Sequence, residues 1–206
     1  MKLPTLAVFL AAGIVAPLAS AHFKLSEPAS WINENNLGDP QKLGPCGGTS
    51  ADAGTVTNAV TKVQGGQKLH LKWNETVFHP GHYRIALSVN SRAELPADPP
   101  VETKDSAKGP QSLSAAIQNP AKIPVLVDNL FPHDMRPPAG SAVPTWETDV
   151  VLPNLSCAKC TLQIVQFMAE HGLNKDGGYF YHHCADLQIT ADPKLPAADA
   201  AWPKQK

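Results

Sequence analysis

The chain has 206 residues, with 17 basic side chains against 18 acidic ones. This near-neutral balance gives no electrostatic footprint for nucleic acid, and we expect no nucleic-acid partner. The length suits one domain with a sizeable core, and neither an internal repeat nor a second domain is apparent. We therefore expect a monomer. The 20 prolines and 14 glycines favour a β-rich fold with long loops.

The first 21 residues have the pattern of a secretory signal peptide. A short basic start precedes an apolar run at residues 6–18, and Ala-Ser-Ala at residues 19–21 is a small-residue cleavage site. The apolar run is short for a membrane span, although an uncleaved anchor is the alternative. We expect residues 1–21 to be removed and the protein to be secreted, into the extracellular space or the periplasm.

Cleavage after Ala21 would make His22 the first residue of the mature protein. His22 would then offer two neutral nitrogen ligands, its α-amine and its imidazole. An α-amine has a pKa of about 8, so near neutral pH it gives up its proton readily to a metal. Because Cu(II) prefers nitrogen ligands in a tetragonal plane, this terminus predicts a copper-binding clamp.

Residues 22–55 contain many prolines and glycines and are predicted to be mostly irregular. Strand patterns begin after this segment. From there the hydrophobic period is two, and strands are predicted at residues 55–63, 68–73, 83–89, 123–127, 146–152, 160–168 and 179–190. Within a surface excursion at residues 91–120 we expect a short helix at 112–118.

These strands predict an all-β fold, a β-sandwich of the immunoglobulin or fibronectin III type with long loops. The sandwich is expected to span residues 22–192. The Ala/Pro-rich tail at residues 193–206 is expected to be flexible.

All four cysteines lie in the mature part, at Cys46, Cys157, Cys160 and Cys184. An even number in an exported chain predicts two disulfides, whose pairing the sequence alone leaves open. The C-x-x-C at residues 157–160 is also typical of half a zinc site, but the sequence has no second close Cys/His pair at matching spacing. Export favours oxidation, so we prefer disulfides.

Two further histidines flank a tight turn, His-Pro-Gly-His at residues 79–82, just before a predicted strand. Either imidazole would be held at one end of the sandwich. Together with the two nitrogens of His22, it would complete a T-shaped site of three nitrogens. Tyr181, on the last long strand, could supply a phenol at the long axial range that Cu(II) accepts.

In their order along the chain, these features resemble lytic polysaccharide monooxygenases, which are secreted copper enzymes with a histidine brace. The matching motifs are His-Phe at residues 22–23, Gly-Pro-Cys-Gly-Gly at 44–48, the H-x-G loop at 79–81 and Tyr-x-x-Cys-Ala-Asp-Leu at 181–187. Each motif alone is weak, and the specificity lies in the ordered set, which covers the mature domain from end to end.

The resemblance implies one copper ion per chain, bound by His22 and His79 with Tyr181 as the axial residue. His82 is the alternative to His79, which we prefer because it matches the H-x-G motif. The family also implies an immunoglobulin-like sandwich with a flat copper-bearing surface. Its fungal branch implies the disulfide pairing Cys46–Cys184 and Cys157–Cys160.

The chain departs from the family in having His182 and His183 directly after the axial tyrosine. We expect one of them, assigned as His183, to face the metal end and to tune the site by hydrogen bonding. His133 is a second candidate for that role, with a solvated loop residue as the alternative. His171 and His182 are expected at the surface.

By this resemblance, the protein would be a monooxygenase or peroxygenase that cleaves glycosidic bonds of a polysaccharide, using an external electron donor with O2 or H2O2. The polysaccharide stays unidentified, and Trp31 and Trp146 are the only residues suggested for contact with it. The sequence shows neither carboxylates paired for hydrolysis nor a G-x-S-x-G elbow. A second hypothesis is a non-catalytic copper protein for uptake, delivery or protection. A third is an adhesion module with an accidental N-terminal histidine.

Overall fold

Ten strands and one short 3-10 helix are present in the computed structural model, which describes residues 21–138 and 140–204. The strands are β1 (His22–Glu27), β2 (Val60–Gln64), β3 (Lys68–Val77), β4 (Gly81–Ser88), β5 (Val101–Lys104), β6 (Gln111–Ala115), β7 (Val125–His133), β8 (Thr145–Val151), β9 (Cys157–Met168) and β10 (Phe180–Thr190), and the helix is Arg92–Glu94. None of the helical structure in these described residues has the length and apolar character needed to cross a membrane.

Two sheets form the sandwich, one with the strand order β1-β3-β8 and the other with the order β2-β10-β9-β4-β7. Strand β2 is parallel to β10, whereas the neighbouring pairs are antiparallel. Alternation along β3 directs Leu69, Leu71 and Trp73 into the core and leaves His70 exposed. The larger sheet supplies apolar side chains from β4, β9 and β10 opposite them. The predicted all-β sandwich is confirmed.

Three predictions of local structure are wrong. Residues 22–27, expected to be irregular, form β1, because they pair along their length with β3. The helix expected at residues 112–118 is absent, and β6 pairs there with β5 as a separate hairpin. The strand expected from residue 55 begins only at Val60, with Val56 in an isolated bridge to Ile32. In each case pairing with another segment of the chain decides the local structure.

The segment after residue 192 lies against the sandwich as far as it is described. The Asn154 amide donates to the backbone of Leu195 and Pro196, and Trp202 packs on the main core. The flexibility expected of this tail in solution stays a prediction.

Two disulfides leave no free cysteine among the described residues. One joins Cys46 to Cys184 and the other joins Cys157 to Cys160, which is the pairing that the resemblance implies. The first bridges a separation of 138 residues and fastens the N-terminal loop to β10, whereas the second closes a separation of only 3 residues within β9.

We predict that the two bridges differ strongly in their effect on stability. Replacing Cys46 and Cys184 together by serine is expected to lower the free energy of unfolding by about 5 kcal/mol, because the bridge closes a long loop in the unfolded chain. The matched double replacement of Cys157 and Cys160 is expected to cost less than about 2 kcal/mol. Urea unfolding of both variants measures the difference, and equal losses would contradict the assignment.

Candidate metal centre

One end of the sandwich brings His22, His79 and Tyr181 together. Strand β1 starts at His22, which lies opposite Val77 at the end of β3. The loop that follows β3 and contains His79 is therefore beside the N-terminal end of β1. Strand β10 starts at Phe180, and since β10 is antiparallel to β9, Tyr181 reaches the same end as the loop after β9.

Four aromatic rings form a continuous cluster at this end. Ring centroids lie 5.1 Å apart for His22 and Tyr181, 4.9 Å apart for His79 and His171, and 6.5 Å apart for His171 and Tyr181. All four side chains are buried. The structure thus adds His171 to the three predicted residues and corrects its expected surface position. The only feature of the sequence that could have indicated His171 is its position just after β9, at the same end of the sandwich as His22 and His79.

The ring nitrogens of the two predicted ligands are suited to a metal ion. Nδ1 of His22 is buried and has no hydrogen-bond partner among the described residues. Nδ1 of His79 lies 3.2 Å from the carbonyl oxygen of Pro80, which places the proton on Nδ1 and leaves the lone pair on Nε2. Burial lowers the pKa of His79 to about 4, so the imidazole is neutral near pH 7 and able to bind a metal.

The third nitrogen of a brace requires processing of the chain. Ala21 still precedes His22 in the described chain and is buried in the main core, so the His22 nitrogen is there an amide. The described residues contain no group of three or more His, Cys, Asp or Glu side chains placed to hold a metal ion. A brace does not need one, because it uses two imidazoles and an amine that only cleavage after Ala21 creates.

The donor set fits copper. Two neutral imidazoles and a terminal amine are the ligands that a tetragonal Cu(II) site prefers. Burial, together with the negative charge of Asp39, raises the pKa of the Tyr181 phenol, which therefore stays protonated. A protonated phenol is a weak donor, suited to the long axial position and not to the ligand plane.

His82 lies apart from the ring cluster. Its ring packs on Phe167 with 5.1 Å between centroids, and it lines a groove with Leu113 and Ile117. Of the two loop histidines, it is His79 that joins the ring cluster of His22 and Tyr181, through the ring of His171.

Gly81 allows the His79 loop to approach the larger sheet. A Cβ atom at this position would lie 1.9 Å from the carbonyl oxygen of Phe167 on β9. Only glycine can begin β4 at this close approach, so the turn that carries His79 is fixed against the sheet.

Glu75, which is fully buried, and His133, which is half-buried, hold both backbone polar groups of His79. The His79 N–H donates to Oε1 of Glu75 at 2.9 Å, and Nε2 of His133 lies 2.7 Å from the His79 carbonyl oxygen. Nδ1 of His133 lies 2.6 Å from the carbonyl oxygen of Phe131. Because both ring nitrogens face oxygen acceptors, the geometry favours an imidazolium that donates from each.

The charge of this imidazolium is balanced by Glu75, whose Oε1 lies 3.4 Å from Nε2 of His133. Burial opposes the charged form, but the hydrogen bond to Glu75 and the two carbonyl oxygens outweigh it, and the pKa of His133 is raised. Glu75 is fully buried and also accepts hydrogen bonds from Gln166 and Trp146. The structure thus gives His133 a hydrogen-bonding role beside the candidate ligand His79.

The histidines after Tyr181 face opposite sides of β10. Nε2 of His183 donates to the carbonyl oxygen of Phe23 at 2.8 Å, and its Nδ1 lies 3.2 Å from the buried carboxylate of Glu34. His183 therefore holds β1 just after His22. His182 is fully buried against Asp98, at 2.9 Å, which corrects its expected surface position.

No protein-family model matches the chain, and a search of curated proteins finds no match to its sequence. The chemical interpretation of this end of the sandwich therefore depends on its own residues.

We predict that the charge of Glu75 is needed for stability. In Glu75→Gln, the His133 imidazolium loses its buried counter-charge, and the free energy of unfolding is expected to fall by about 3–5 kcal/mol. The exposed pair of Glu147 and Lys72, 2.6 Å apart, provides a matched control. Glu147→Gln is expected to leave stability almost unchanged, because water screens the interaction of an exposed ion pair. Equally small losses for both variants, measured by urea unfolding, would show that His133 is neutral.

Proposed function

We propose that the mature protein, beginning at His22, binds one copper ion in a histidine brace and is a secreted copper-dependent monooxygenase or peroxygenase that cleaves a polysaccharide. The observation that carries the proposal concerns Nδ1 of His22, which is buried and has no hydrogen-bond partner in the described part of the chain. The His22 ring lies in one cluster with Tyr181 and, through His171, with His79. The motif order shared with lytic polysaccharide monooxygenases supports the reaction class.

Each residue of the cluster has a definite part in this proposal. His22 binds through its freed amine and Nδ1, and His79 binds through Nε2. The metal, when bound, supplies one-electron chemistry with O2 or H2O2 and an external donor. The pair of Glu75 and His133 fixes the His79 backbone, so contacts within the protein itself hold the loop in place. The protonated Tyr181 phenol, whose ring contacts that of His22, would lie beside the metal as a weak donor.

Secretion is part of the same proposal. The signal-peptide pattern would deliver the chain to an oxidising compartment, and the two disulfides suit such a compartment. Removal of the leader would at the same time create the amine ligand.

The second candidate, a copper carrier, is favoured by the surroundings of the aromatic side chains. Every Trp, Tyr and Phe among the described residues is buried or half-buried. The guanidinium of Arg92 lies 3.6 Å above the Trp31 ring, and Trp146 stacks on Phe131 with 4.9 Å between centroids. Both tryptophans suggested for substrate contact are therefore engaged within the protein, which leaves no exposed ring in the described part of the chain for stacking on a sugar.

We predict tight 1:1 Cu(II) binding by protein that starts at His22, with an EPR spectrum of three nitrogen ligands. Protein that retains Ala21 or an added Met is expected to lose this spectrum, because its His22 nitrogen is an amide. His79→Ala is expected to abolish the pattern and His82→Ala to preserve it. The reverse result for the two histidines would overturn the assignment of His79.

The enzyme and the carrier differ in a second measurement. We predict that copper-loaded mature protein, given reductant and peroxide, releases oxidised oligosaccharides from at least one of cellulose, chitin, xylan and starch, as detected by mass spectrometry. His79→Ala protein is the control for free copper. Tight copper binding without release of sugars, together with transfer of copper to an acceptor chelator, would favour the carrier.

A further inference from the structure

A carboxylate outside the predicted site contacts the first ligand. Oδ2 of Asp39 lies 3.2 Å from Nε2 of His22, on the side of the ring opposite Nδ1. The second oxygen, Oδ1, is buried and has no hydrogen-bond partner among the described residues. The sequence predicts no role for Asp39, which lies in the segment between β1 and the first disulfide cysteine.

The loop that carries Asp39 is firmly held. The Asp39 N–H donates to the side-chain oxygen of Asn35 at 3.0 Å, and the Asp39 carbonyl accepts from the Asn35 N–H at 2.9 Å. A Cβ atom on the neighbouring Gly38, whose φ is +98°, would lie 1.9 Å from the Phe23 carbonyl oxygen. The loop therefore packs directly on the backbone of β1, and the carboxylate position is set before a metal binds.

The same loop is fastened to β1 a second time. Oε1 of the fully buried Gln41 accepts the Phe23 N–H at 3.1 Å. The Gln41 carbonyl in turn accepts the His182 N–H on β10 at 2.7 Å. The loop thus connects the strand that begins with His22 to the strand that carries Tyr181.

A carboxylate in this place decides which ring nitrogen of His22 carries the proton. When Nε2–H donates to Asp39, the lone pair lies on Nδ1, the buried nitrogen without a partner. A histidine that binds a metal through one nitrogen commonly donates its other N–H to a carboxylate, which fixes the ring and makes the ligand more basic.

We propose that Asp39 is a positioning residue for the copper site, which orients the His22 imidazole and increases the donor strength of its Nδ1. This inference rests on the proposed copper function. A stronger nitrogen donor stabilises Cu(II) more than Cu(I), because the more highly charged ion gains more from added electron density. Asp39 therefore lowers the reduction potential of the bound copper.

The test compares wild type with Asp39→Asn in protein processed to begin at His22. Asparagine has a side chain of the same size as aspartate, but its amide oxygen is a weaker hydrogen-bond acceptor than a carboxylate oxygen. We expect Cu(II) affinity to fall by about 10–100-fold, as for other residues that hydrogen-bond to metal ligands. If Cu(I) affinity is unchanged, each tenfold loss for Cu(II) raises the potential by about 59 mV. Isothermal titration, competition for Cu(I) and voltammetry give these values.

A matched control is available at a histidine far from the candidate site. Oδ1 of Asp149 lies 3.0 Å from Nδ1 of the exposed His70, so Asp149→Asn removes the same charge from a similar pair. We expect it to leave both copper affinities and the potential unchanged. Urea unfolding of both variants without copper checks that the Asp39 variant is folded, and Asp39→Glu, which keeps the carboxylate, is expected to recover part of the wild-type potential.

The outcomes separate this inference from the proposed function. If wild-type protein does not bind Cu(II) through three nitrogens, the proposed function fails and the inference fails with it. If wild type binds but Asp39→Asn has the wild-type affinity and potential, only the inference is overturned. Loss of an equatorial ligand from the EPR spectrum of Asp39→Asn would also overturn it, because Asp39 would then ligate the metal directly.

Discussion

The arrangement of the end of the sandwich that carries the candidate metal centre depends on one buried negative charge, the carboxylate of Glu75. A carboxylate removed from water costs several kcal/mol unless hydrogen bonds and an opposite charge compensate it. Here the backbone of His79, the side chains of Gln166 and Trp146 and the imidazole of His133 all point toward it. These partners come from the loop after β3 and from β9, β8 and β7. Satisfying one charge therefore fixes the relative positions of both sheets at this end.

Strand β3 illustrates what the sequence could predict and what it could not. The alternation through Leu69, Leu71 and Trp73 correctly predicts the buried face, and continuing it places Glu75 on the same face. An acidic residue at a buried position of this alternation indicates a buried polar network, but the side chains that hydrogen-bond to Glu75 lie far away in sequence. For the same reason β1 was not predictable, since its strand character comes from pairing with β3.

The candidate site likewise contains residues that the sequence predicts and residues that it does not. The leader pattern and the H-x-G loop identify His22 and His79 without any knowledge of packing. Asp39 and His171 come from loops whose course is set by contacts to β1 and to the hairpin of β5 and β6, such as the hydrogen bond of the His171 N–H to Ser112. Short polar loops carry no periodic pattern, so the sequence gives no indication of which side chain they turn inward.

The disulfide between Cys46 and Cys184 has a consequence for the arrangement of the candidate site. It closes the segment that carries Asp39 onto the strand that begins beside Tyr181. In a reducing compartment that segment would be held to β10 by noncovalent contacts alone, such as the hydrogen bond of the His182 N–H to the Gln41 carbonyl oxygen. Formation of the disulfide would thus link the redox state of the compartment to the arrangement of the candidate site.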